Sequence, residues 1–401
     1  MSVTSLMELK QTSSPTEFTQ FIQQQGDVFW WDKGNFWVVS NYDMAKQILL
    51  SDDYTCDRSA FFLSRMPEMN LALIQDFFAV VGKMMVMSDA PEHTKRRRIC
   101  YQGFGNHSIE QLAPLIQKTI DKALDEFADS KRMEFVSTLA ETIPSITLAE
   151  FFNIPESERM DFYHWSNNMT QFFGGSTSYL DADGIKVNDS AKALYDYFKM
   201  LMSTRRKKPG NDFLSVLLAN QSHFKLTDDE IISQAIMMLV AGQVSTTDQM
   251  CNNLFCLLSE PSAKASILTQ PELMSATLEE CSRLDPAVTF TFRVTQNRTN
   301  IGGTPIQPGD VIFISNHAVN RDKRYFSNPH TIDLTHKNNH FGYGFGGHFC
   351  LGAKLARIEM LMCFESLLKR FPSIHLDPSM PALRKHHSLS FSGFKQLVLM
   401  H

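Results

Sequence analysis

The sequence lacks the features that mark several large protein classes. Its seven cysteines are scattered and none are spaced as C-x-x-C, which argues against a disulfide framework. The longest apolar run, near residues 236–241, is too short to span a bilayer, and the first 25 residues contain no apolar core of signal-peptide length. Basic residues are not in excess, because 38 Lys and Arg stand against 43 Asp and Glu. We therefore expect a cytoplasmic protein without a membrane anchor or a nucleic-acid partner.

The chain is rich in large apolar side chains. It contains 31 Phe and 21 Met among 401 residues, which suits a large and adaptable apolar interior. No internal repeat, low-complexity tract or long linker divides it. We therefore expect residues 1–401 to form a single domain, with residues 1–25 as a peripheral N-terminal segment.

Local patterns predict a mainly helical fold with small β-sheets near both ends of the sequence. Two apolar stretches within residues 27–40 flank a Gly34-Asn35 turn, which predicts a β-hairpin. A second β region is predicted from about residue 293 to residue 315. Most of the remaining chain has helical spacing. The predicted fold class is therefore mainly α with small β-sheets, of the α+β type.

One predicted helix is unusually long. Thr227 and Glu230 have the spacing of a capping box, and helical patterning continues to Ser259, before Glu260-Pro261 ends it. At about 1.5 Å per residue this helix is roughly 50 Å long, so we expect it to cross the molecule. Gly242 lies near its middle. Either another helix packs closely against Gly242, or the backbone there approaches a flat and bulky group.

The most informative segment surrounds Cys350. Five glycines lie within residues 341–352, and a helix is predicted from near Gly352 to Arg370. Cys350 is thus placed on a glycine-rich loop at a helix N-terminus, where the helix dipole and the N–H groups of the first turn stabilise a thiolate. No second Cys or His stands at zinc spacing. A lone thiolate with space around it suits the axial ligand of a haem iron, and a buried structural cysteine is the alternative.

Residues 340–359 resemble the haem-binding loop of the cytochrome P450 family. That loop reads aromatic-Gly-x-Gly-x-His-x-Cys-x-Gly and is followed by Leu-Ala-Arg-x-Glu. Tyr343 stands where the family usually has Phe, which is a mild departure. The matching residues are Tyr343, Gly344, Gly346, His348, Cys350, Gly352, Leu355, Ala356, Arg357 and Glu359.

Two further motifs resemble the family and follow its order. Glu280 and Arg283 match its Glu-x-x-Arg pair, although Thr331 stands where an Arg often completes the network. In the early helix, His93 and Arg97 lie four residues apart and therefore share a face. Taken alone, an i,i+3 ion pair is usually solvated, and a basic helix face is either solvated or a phosphate site.

The resemblance implies a P450 fold that forms one catalytic domain. Haem b would lie between the long helix and the helix after the cysteine loop, with Cys350 as the axial ligand of its iron. Cations and hydrogen-bond donors suit the two haem propionates, and the residues expected there are His93, Arg97, Arg293 and His348. The other expected haem contacts are Ala241, Tyr343, Gly344 and Gly352.

The implied activity is that of a monooxygenase in secondary metabolism. Such an enzyme activates O2 with two externally supplied electrons and hydroxylates a lipophilic or aromatic small molecule. The sequence shows no fused flavin or iron–sulfur domain, so we expect a separate ferredoxin- or flavodoxin-type donor. Five basic residues suit an acidic donor, with a solvated surface as the alternative, and these are Lys95, Arg96, Arg98, Lys354 and Arg357.

The centre of the long helix departs from the family. The usual Ala/Gly-Gly-x-Asp/Glu-Thr-Thr is replaced by a sequence in which Val244 takes the place of the acid and Ser245 that of the first Thr. Valine cannot relay a proton, whereas a serine hydroxyl can hydrogen-bond bound dioxygen. Gln243, Asp248 or ordered water could supply the proton, or the substrate could bring its own acid. The expected catalytic residues are Gly242, Gln243, Ser245 and Thr246.

Two other functions stay open at this point. One is P450-type oxidative coupling, which forms a C–C or C–O bond between phenolic or aromatic substrates without oxygen insertion. The other is a haem sensor that does not turn over. The missing acid at Val244 is the feature that raises both alternatives.

The resemblance also places a substrate pocket. We expect it to be apolar and aromatic, with plain core packing as the alternative for each Phe. The expected pocket residues are Val244, Val288, Phe290, Phe292 and Phe391. Gly174-Gly175-Ser176, in a polar stretch that reaches Asp189, is expected to be the hinge of a lid.

Overall fold

The computed structural model describes residues 6–64, 66, 69–173, 181–335, 339–385 and 388–401. Helices dominate, and the sheets are small, which confirms the predicted fold class. The helices are α1 (Leu6–Thr12), α2 (Pro15–Gln25), α3 (Tyr42–Leu50), α4 (Ser59–Ser64), α5 (Gln75–Val81), α6 (Glu92–Gly103), α7 (Asn106–Ser130), α8 (Thr142–Phe151), α9 (Arg159–Phe173), α10 (Asp181–Lys207), α11 (Phe213–Phe224), α12 (Asp228–Ser259), α13 (Pro261–Thr269), α14 (Met274–Leu284), α15 (Asn316–Val319) and α16 (Ala353–Arg370). The strands are β1 (Val28–Trp31), β2 (Phe36–Val39), β3 (Tyr54–Thr55), β4 (Arg132–Glu134), β5 (Phe290–Thr295), β6 (Thr299–Ile301), β7 (Thr304–Ile306), β8 (Val311–Ser315), β9 (His375–Leu376), β10 (Leu383–Arg384), β11 (Phe394–Gln396) and β12 (Val398–Met400).

The chain folds into two compact units. The first contains residues 1–54, 117–143 and 245–401, and the second contains residues 55–116 and 144–244. Each unit combines segments that are distant in sequence, and α12 contributes residues to both. The single catalytic domain stays a prediction.

The largest sheet has the strand order β1-β2-β8-β5-β3. The predicted hairpin is confirmed, because β1 and β2 pair antiparallel with Trp31 opposite Phe36. β2 pairs with β8 in parallel, and β8 pairs with β5 antiparallel, with Phe292 opposite Phe313. The predicted second β region is also confirmed, although it begins at Phe290 and contains the four strands β5–β8.

The N-terminal segment differs from the peripheral segment that we expect from its polar sequence. Phe18 and Ile22, four residues apart on α2, are 1% and 0% exposed. The Phe18 ring lies edge-on to Phe290, with ring centroids 6.1 Å apart. Polar residues cover only the outer face of α2, and its apolar face packs into the first unit. Segment 6–25 therefore contributes some buried side chains to the core of the first unit, while its other residues stay at the surface.

The second unit packs around aromatic residues. Phe151 and Phe213 stack with ring centroids 4.8 Å apart, and Phe213 lies so close to Gly103 that a Cβ there would clash with its ring. Phe162 on α9 meets Tyr197 on α10 at 4.4 Å. The polar stretch expected to continue to Asp189 is helical from Asp181 onward, because it belongs to α10. The predicted hinge at residues 174–176 lies outside the described residues.

The long predicted helix is confirmed as α12, which has 32 residues. Its capping box is complete, because the Thr227 N–H donates to Glu230 Oε2 at 2.9 Å and the Glu230 N–H donates to Thr227 Oγ1 at 3.3 Å. These bonds satisfy backbone donors that the first turn of a helix leaves open. Among the helices of the described residues, none combines the length and the apolar character needed to cross a membrane.

Candidate functional site

The Cys350 loop is shaped by two glycines with positive φ. Gly344 has a φ of 75° and Gly346 a φ of 68°, a region that favours glycine. The Cys350 N–H donates to the Tyr343 carbonyl at 2.8 Å, which closes the loop. Helix α16 begins at Ala353, so Cys350 lies three residues before it, as the sequence predicts.

Cys350 differs from the other cysteines in its surroundings. It is exposed, whereas five of the others are buried and Cys256 is half-buried. Burial raises the pKa of Cys363 to about 12, and it raises the pKa of Cys100 as well. Those buried thiols stay protonated at neutral pH and cannot act as thiolate ligands. Cys350, at the N-terminal end of α16, is the cysteine that can offer its sulfur to a bound group.

A half-buried acid, Glu279, supports the loop through two basic residues. Glu279 accepts hydrogen bonds from Arg357 Nε at 2.7 Å and Nη2 at 2.8 Å, and it lies 3.3 Å from His340 Nε2. Burial acts to raise the pKa of Glu279, but hydrogen bonds from His340 and Arg357 lower it to about 2. The Arg357 guanidinium also lies 4.3 Å from the ring centroid of Tyr343. The sequence reading missed Glu279 and His340, although both adjoin motif residues.

The predicted Glu280–Arg283 pair is buried and bidentate. Arg283 Nε lies 2.9 Å from Glu280 Oε1 and Nη2 lies 2.8 Å from Oε2, and both side chains are 1% exposed. The solvated alternative is therefore wrong. Arg283 also donates to the backbone carbonyls of Asn320, Pro329 and Thr331. The Asp333 N–H, two residues beyond Thr331, donates to Glu280 Oε2 at 3.0 Å, so the backbone of this segment gives Glu280 a donor where the missing Arg would offer one.

Asn320 connects this pair to the cysteine loop. Its amide Nδ2 donates to the Arg283 carbonyl at 3.1 Å, and its Oδ1 accepts from the Phe341 N–H at 2.6 Å. Phe341 begins the loop that ends at Cys350 and is fully buried. The ion pair therefore orders the loop through one intermediate side chain.

The middle of α12 has one accessible stripe. Residues 231–240 and 246–254 are buried, whereas Ala241 is exposed and Gly242, Val244 and Ser245 are half-buried. At 3.6 residues per turn, Ser245 lies only about 40° around the helix from Ala241. Ser245 is therefore the residue that places a hydroxyl group on this accessible stripe. Thr246 is 7% exposed and lies on a buried face.

Two of the predicted catalytic residues, Gly242 and Gln243, make contacts with other helices of the second unit. Gln243 is about 200° around the helix from Ala241. It is 3% exposed, and its Oε1 accepts a 2.6 Å hydrogen bond from Ser166 on α9. A Cβ on Gly242 would meet the Leu148 side chain at 3.1 Å, which favours the helix-packing interpretation of this glycine. The burial of Gln243 disfavours its predicted catalytic role, whereas Gly242 is half-buried, and the catalytic roles of both residues stay predictions.

Asp248 is likewise committed to another contact. It is 1% exposed and forms a 2.8 Å ion pair with Lys385. Burial raises the pKa of Asp248, and the nearby ammonium of Lys385 opposes that rise. This internal pairing disfavours Asp248 as the substitute proton donor that the sequence suggested.

The residues expected at the haem propionates belong to different units. His93 is buried and Arg97 is half-buried, one turn apart on α6 in the second unit. Arg293 on β5 is 6% exposed, and its Nη1 donates to the Phe292 carbonyl at 2.9 Å. His348 is half-buried on the cysteine loop. Their shared role at the propionates stays a prediction.

The comparisons with known proteins agree with this geometry. The cytochrome P450 family model matches residues 2–270 and 266–392. The chain belongs to the cytochrome P450 family. A biotin biosynthesis cytochrome P450 of Bacillus subtilis is 31% identical over 351 residues, which cover 86% of each chain. The P450 monooxygenase PikC of Streptomyces venezuelae is 27% identical over 90% of this chain and 84% of its own.

A solved P450 structure extends the likeness to the fold. The crystal structure of P450BioI, in complex with an acyl carrier protein ligated to hexadec-9Z-enoic acid, has a TM-score of 0.87 and 26% identity. The match covers 97% of this chain and 98% of that one. The predicted family, P450 fold and oxidoreductase class are thereby confirmed, and the family's cofactor is haem iron.

The residues present in this P450 fit a haem group. Cys350 is exposed beside Phe349, which is 37% exposed, and a Cβ on Gly352 would meet no atom within 4 Å. In the second unit, taken by itself, Ala241 is an exposed apolar residue of α12 that follows the buried residues 231–240. A single thiolate with apolar surroundings is a donor set that suits haem iron and does not suit structural zinc.

The predicted pocket residues of the P450 fall into two groups. Val288 and Phe391 are half-buried and form a β-bridge with each other. Phe290 and Phe292 are 1% and 8% exposed, and both rings contact Phe313. Burial of these two rings favours the alternative of core packing. The predicted pocket roles of Val288, Phe391 and Val244 stay predictions.

The basic residues expected at the donor surface of the P450 are also divided. Arg96 pairs with Glu230 at 2.9 Å with little exposure, and Arg357 pairs with Glu279. Arg96 therefore has little exposed surface to offer an external partner, whereas the Arg357 side chain is 40% exposed. The remaining three residues, Lys95, Arg98 and Lys354, are exposed. Lys95 forms an ion pair with Glu92.

Proposed function

We propose that this P450 is a haem b monooxygenase that hydroxylates a lipophilic or aromatic small molecule in secondary metabolism. The observation that carries the proposal is Cys350, the exposed cysteine on a buttressed glycine loop before α16. The names of its relatives support the metabolic setting, since they include a polyketide biosynthesis P450 and a mycinamicin IV hydroxylase/epoxidase. A cytoplasmic location stays a prediction from the sequence.

The chain's own residues would each perform a defined task. Cys350 would hold the iron, and His93, Arg97, Arg293 and His348 would bind the propionates. When bound, the haem supplies O2 activation and oxidation of a C–H bond. Electrons would come from a separate ferredoxin- or flavodoxin-type donor, with exposed basic residues such as Arg98 and Lys354 at its docking surface.

Ser245 would hold the proton that the reaction needs. Val244 cannot donate one, Gln243 faces away from the accessible stripe, and Asp248 is paired with Lys385. The Ser245 hydroxyl, together with water, is therefore the route that the chain offers. This arrangement allows proton delivery without an acid on α12.

The experiment that tests the function combines two measurements on the haem-loaded protein. Reduced protein with carbon monoxide should show the red-shifted Soret band of thiolate ligation. Turnover of a lipophilic substrate under labelled O2 should place one labelled oxygen in the product. Absence of the band contradicts the haem-thiolate assignment. A product without label contradicts oxygen insertion and favours oxidative coupling, whereas gas binding without turnover favours a sensor.

Ser245→Ala is expected to divert electrons from product to hydrogen peroxide. Loss of the hydroxyl should lower the fraction of electrons that reach product by at most about a hundredfold, the low end of proton-transfer contributions, because water remains. Product and peroxide are measured against reducing equivalents consumed. Ser233→Ala on the same helix is the matched control, since Ser233 is buried and its Oγ has no hydrogen-bond partner among the residues that the structure describes. Equal effects of the two variants would contradict the role of Ser245.

A companion variant tests whether protons limit the reaction. Val244→Asp restores the family's acid on the accessible stripe. We expect product yield per electron to rise above that of the wild type, because a carboxyl can donate where valine cannot. An unchanged yield would show that Ser245 and water already deliver protons fast enough.

A further inference from the structure

A lysine of the N-terminal helix reaches into the C-terminal part of the chain. The Lys10 ammonium on α1 lies 2.9 Å from the Ser388 carbonyl and 3.0 Å from the Leu389 carbonyl. It also contacts the carbonyl of Phe391 and lies 3.2 Å from Thr289 Oγ1. Four acceptors thus surround one ammonium, which has three protons to donate. All of these residues belong to the first unit.

The acceptors belong to two segments that pair with each other. The Thr289 N–H donates to the Ser390 carbonyl at 2.9 Å, and the Ser392 N–H donates to the Ala287 carbonyl at 2.8 Å. These bonds flank the bridge between Val288 and Phe391. The Thr289 hydroxyl donates to the Leu389 carbonyl as well. Lys10 therefore lies at the junction of segments 287–289 and 388–392.

The same C-terminal loop is anchored on its other side. Lys385 pairs with Asp248 at 2.8 Å, and Arg384 pairs with Asp285 at 2.7 Å. Gly393 lies so close to Asp248 that a Cβ there would clash with its carboxylate. These contacts hold the base of the loop, whereas the carbonyls of residues 388–391 are held by Lys10.

We propose that Lys10 is a positioning residue for substrate binding. By hydrogen-bonding to Thr289 and to the carbonyls of the 388–391 loop, it fixes the positions of Val288 and Phe391. This inference rests on the proposed function, because the two positioned residues line the pocket only if the chain binds a substrate as proposed. Lys10 itself need not touch substrate. Its effect is to keep the half-buried side chains of Val288 and Phe391 at a fixed distance from each other.

The test replaces Lys10 by methionine in the haem-loaded protein and compares two azole probes. Imidazole is small and needs little of the pocket wall to reach the iron, whereas 4-phenylimidazole has to fit against the wall. Lys10→Met keeps the length of the side chain and removes every donor. We expect the affinity for 4-phenylimidazole, read from the Soret difference spectrum, to fall by about tenfold and that for imidazole to change by less than about twofold.

The matched control is Lys395→Met, which makes the same replacement at an exposed lysine on β11 of the same hairpin. It should leave both affinities unchanged. If Lys10→Met does not fold, Thr289→Val removes both hydrogen bonds of the Thr289 hydroxyl, to Lys10 and to the Leu389 carbonyl, with nearly the same side-chain volume. We expect it to shift the affinity for 4-phenylimidazole in the same direction by a smaller factor, about threefold.

The outcomes separate this inference from the proposed function. A wild-type protein without the thiolate-type carbon monoxide band contradicts the proposed function. A wild type with that band, combined with a Lys10→Met variant that binds both azoles like the wild type, contradicts the positioning role alone. An equal loss of affinity for both azoles also contradicts the positioning role, because a merely structural defect would weaken the binding of both equally.

A second readout uses the charge of Lys10. Burial lowers the pKa of Lys10 from its usual 10.5 to about 7, although the carboxylates of Asp285 and Asp248 raise it and Arg384 lowers it further. His317, whose own pKa burial lowers, adds no charge there, and Lys385 is paired with Asp248. Between pH 7 and pH 10 the unfolded chain keeps the proton and the folded chain loses it.

Between pH 7 and pH 10, the free energy of unfolding of the wild type should therefore rise with pH relative to that of Lys10→Met. Urea unfolding at several pH values measures the difference, and the slope should vanish below pH 7, where both states hold the proton. A difference that is flat from pH 6 to pH 10 would contradict the enclosed position of the ammonium.

Discussion

Cys350→Ser is expected to abolish both the thiolate-type carbon monoxide band and product formation. A serine hydroxyl does not ionise near neutral pH, so it cannot give the iron the anionic sulfur donation on which O–O cleavage depends. The change replaces one atom at an exposed position. We therefore expect the helical circular dichroism and the yield of folded protein to match those of the wild type.

The control for this variant is Cys256→Ser, which makes the same replacement at a half-buried cysteine on α12. It should retain the band and the activity. A Cys350→Ser protein that still shows the thiolate band would mean that another cysteine holds the iron. The buried cysteines are poor candidates, since burial raises the pKa of Cys100, Cys251 and Cys363.

The second large effect is expected at the buried ion pair of α14. Arg283→Leu leaves the Glu280 carboxylate, which is 1% exposed, without its guanidinium partner. It also leaves the carbonyls of Asn320, Pro329 and Thr331 without their donor. Breaking such a pair from one side costs about 3–5 kcal/mol. We expect a loss of that size in the free energy of unfolding by urea, together with reduced haem retention.

Two further variants make this test specific. The double variant Glu280→Leu/Arg283→Leu should be less destabilised than the sum of the two single variants, because it leaves no lone buried charge. Arg370→Ala breaks the exposed pair with Asp125 and should cost at most about 1 kcal/mol. If Arg283→Leu costs no more than Arg370→Ala, the pair does not support the cysteine loop as its contacts indicate.

Local sequence patterns are sufficient to predict much of this protein. The Thr227 capping box predicts the start of α12, and the turn at Gly34-Asn35 predicts the first hairpin. The glycines before Cys350 predict a loop at a helix N-terminus. These features depend on backbone conformation and on neighbours within a few residues, so the chain specifies them locally.

Other features follow from contacts between distant residues. Gln243 and Asp248 look like proton donors in the sequence, but Ser166 and Lys385 engage them in the fold. The polar segment before residue 25 looks peripheral, yet Lys10 bonds to a carbonyl 379 positions away. Which face of a helix is covered, and by which partner, depends on where the rest of the chain packs.

The motif around Cys350, and with it the family, could therefore be recognised from residue types and spacing alone, and Cys350 as the iron ligand stays a prediction from that motif. The support behind that loop and the assignment of Ser245 as the accessible hydroxyl required the folded chain. A buried polar group takes whichever partner the packing brings within hydrogen-bond distance, and spacing along the sequence carries no record of that partner.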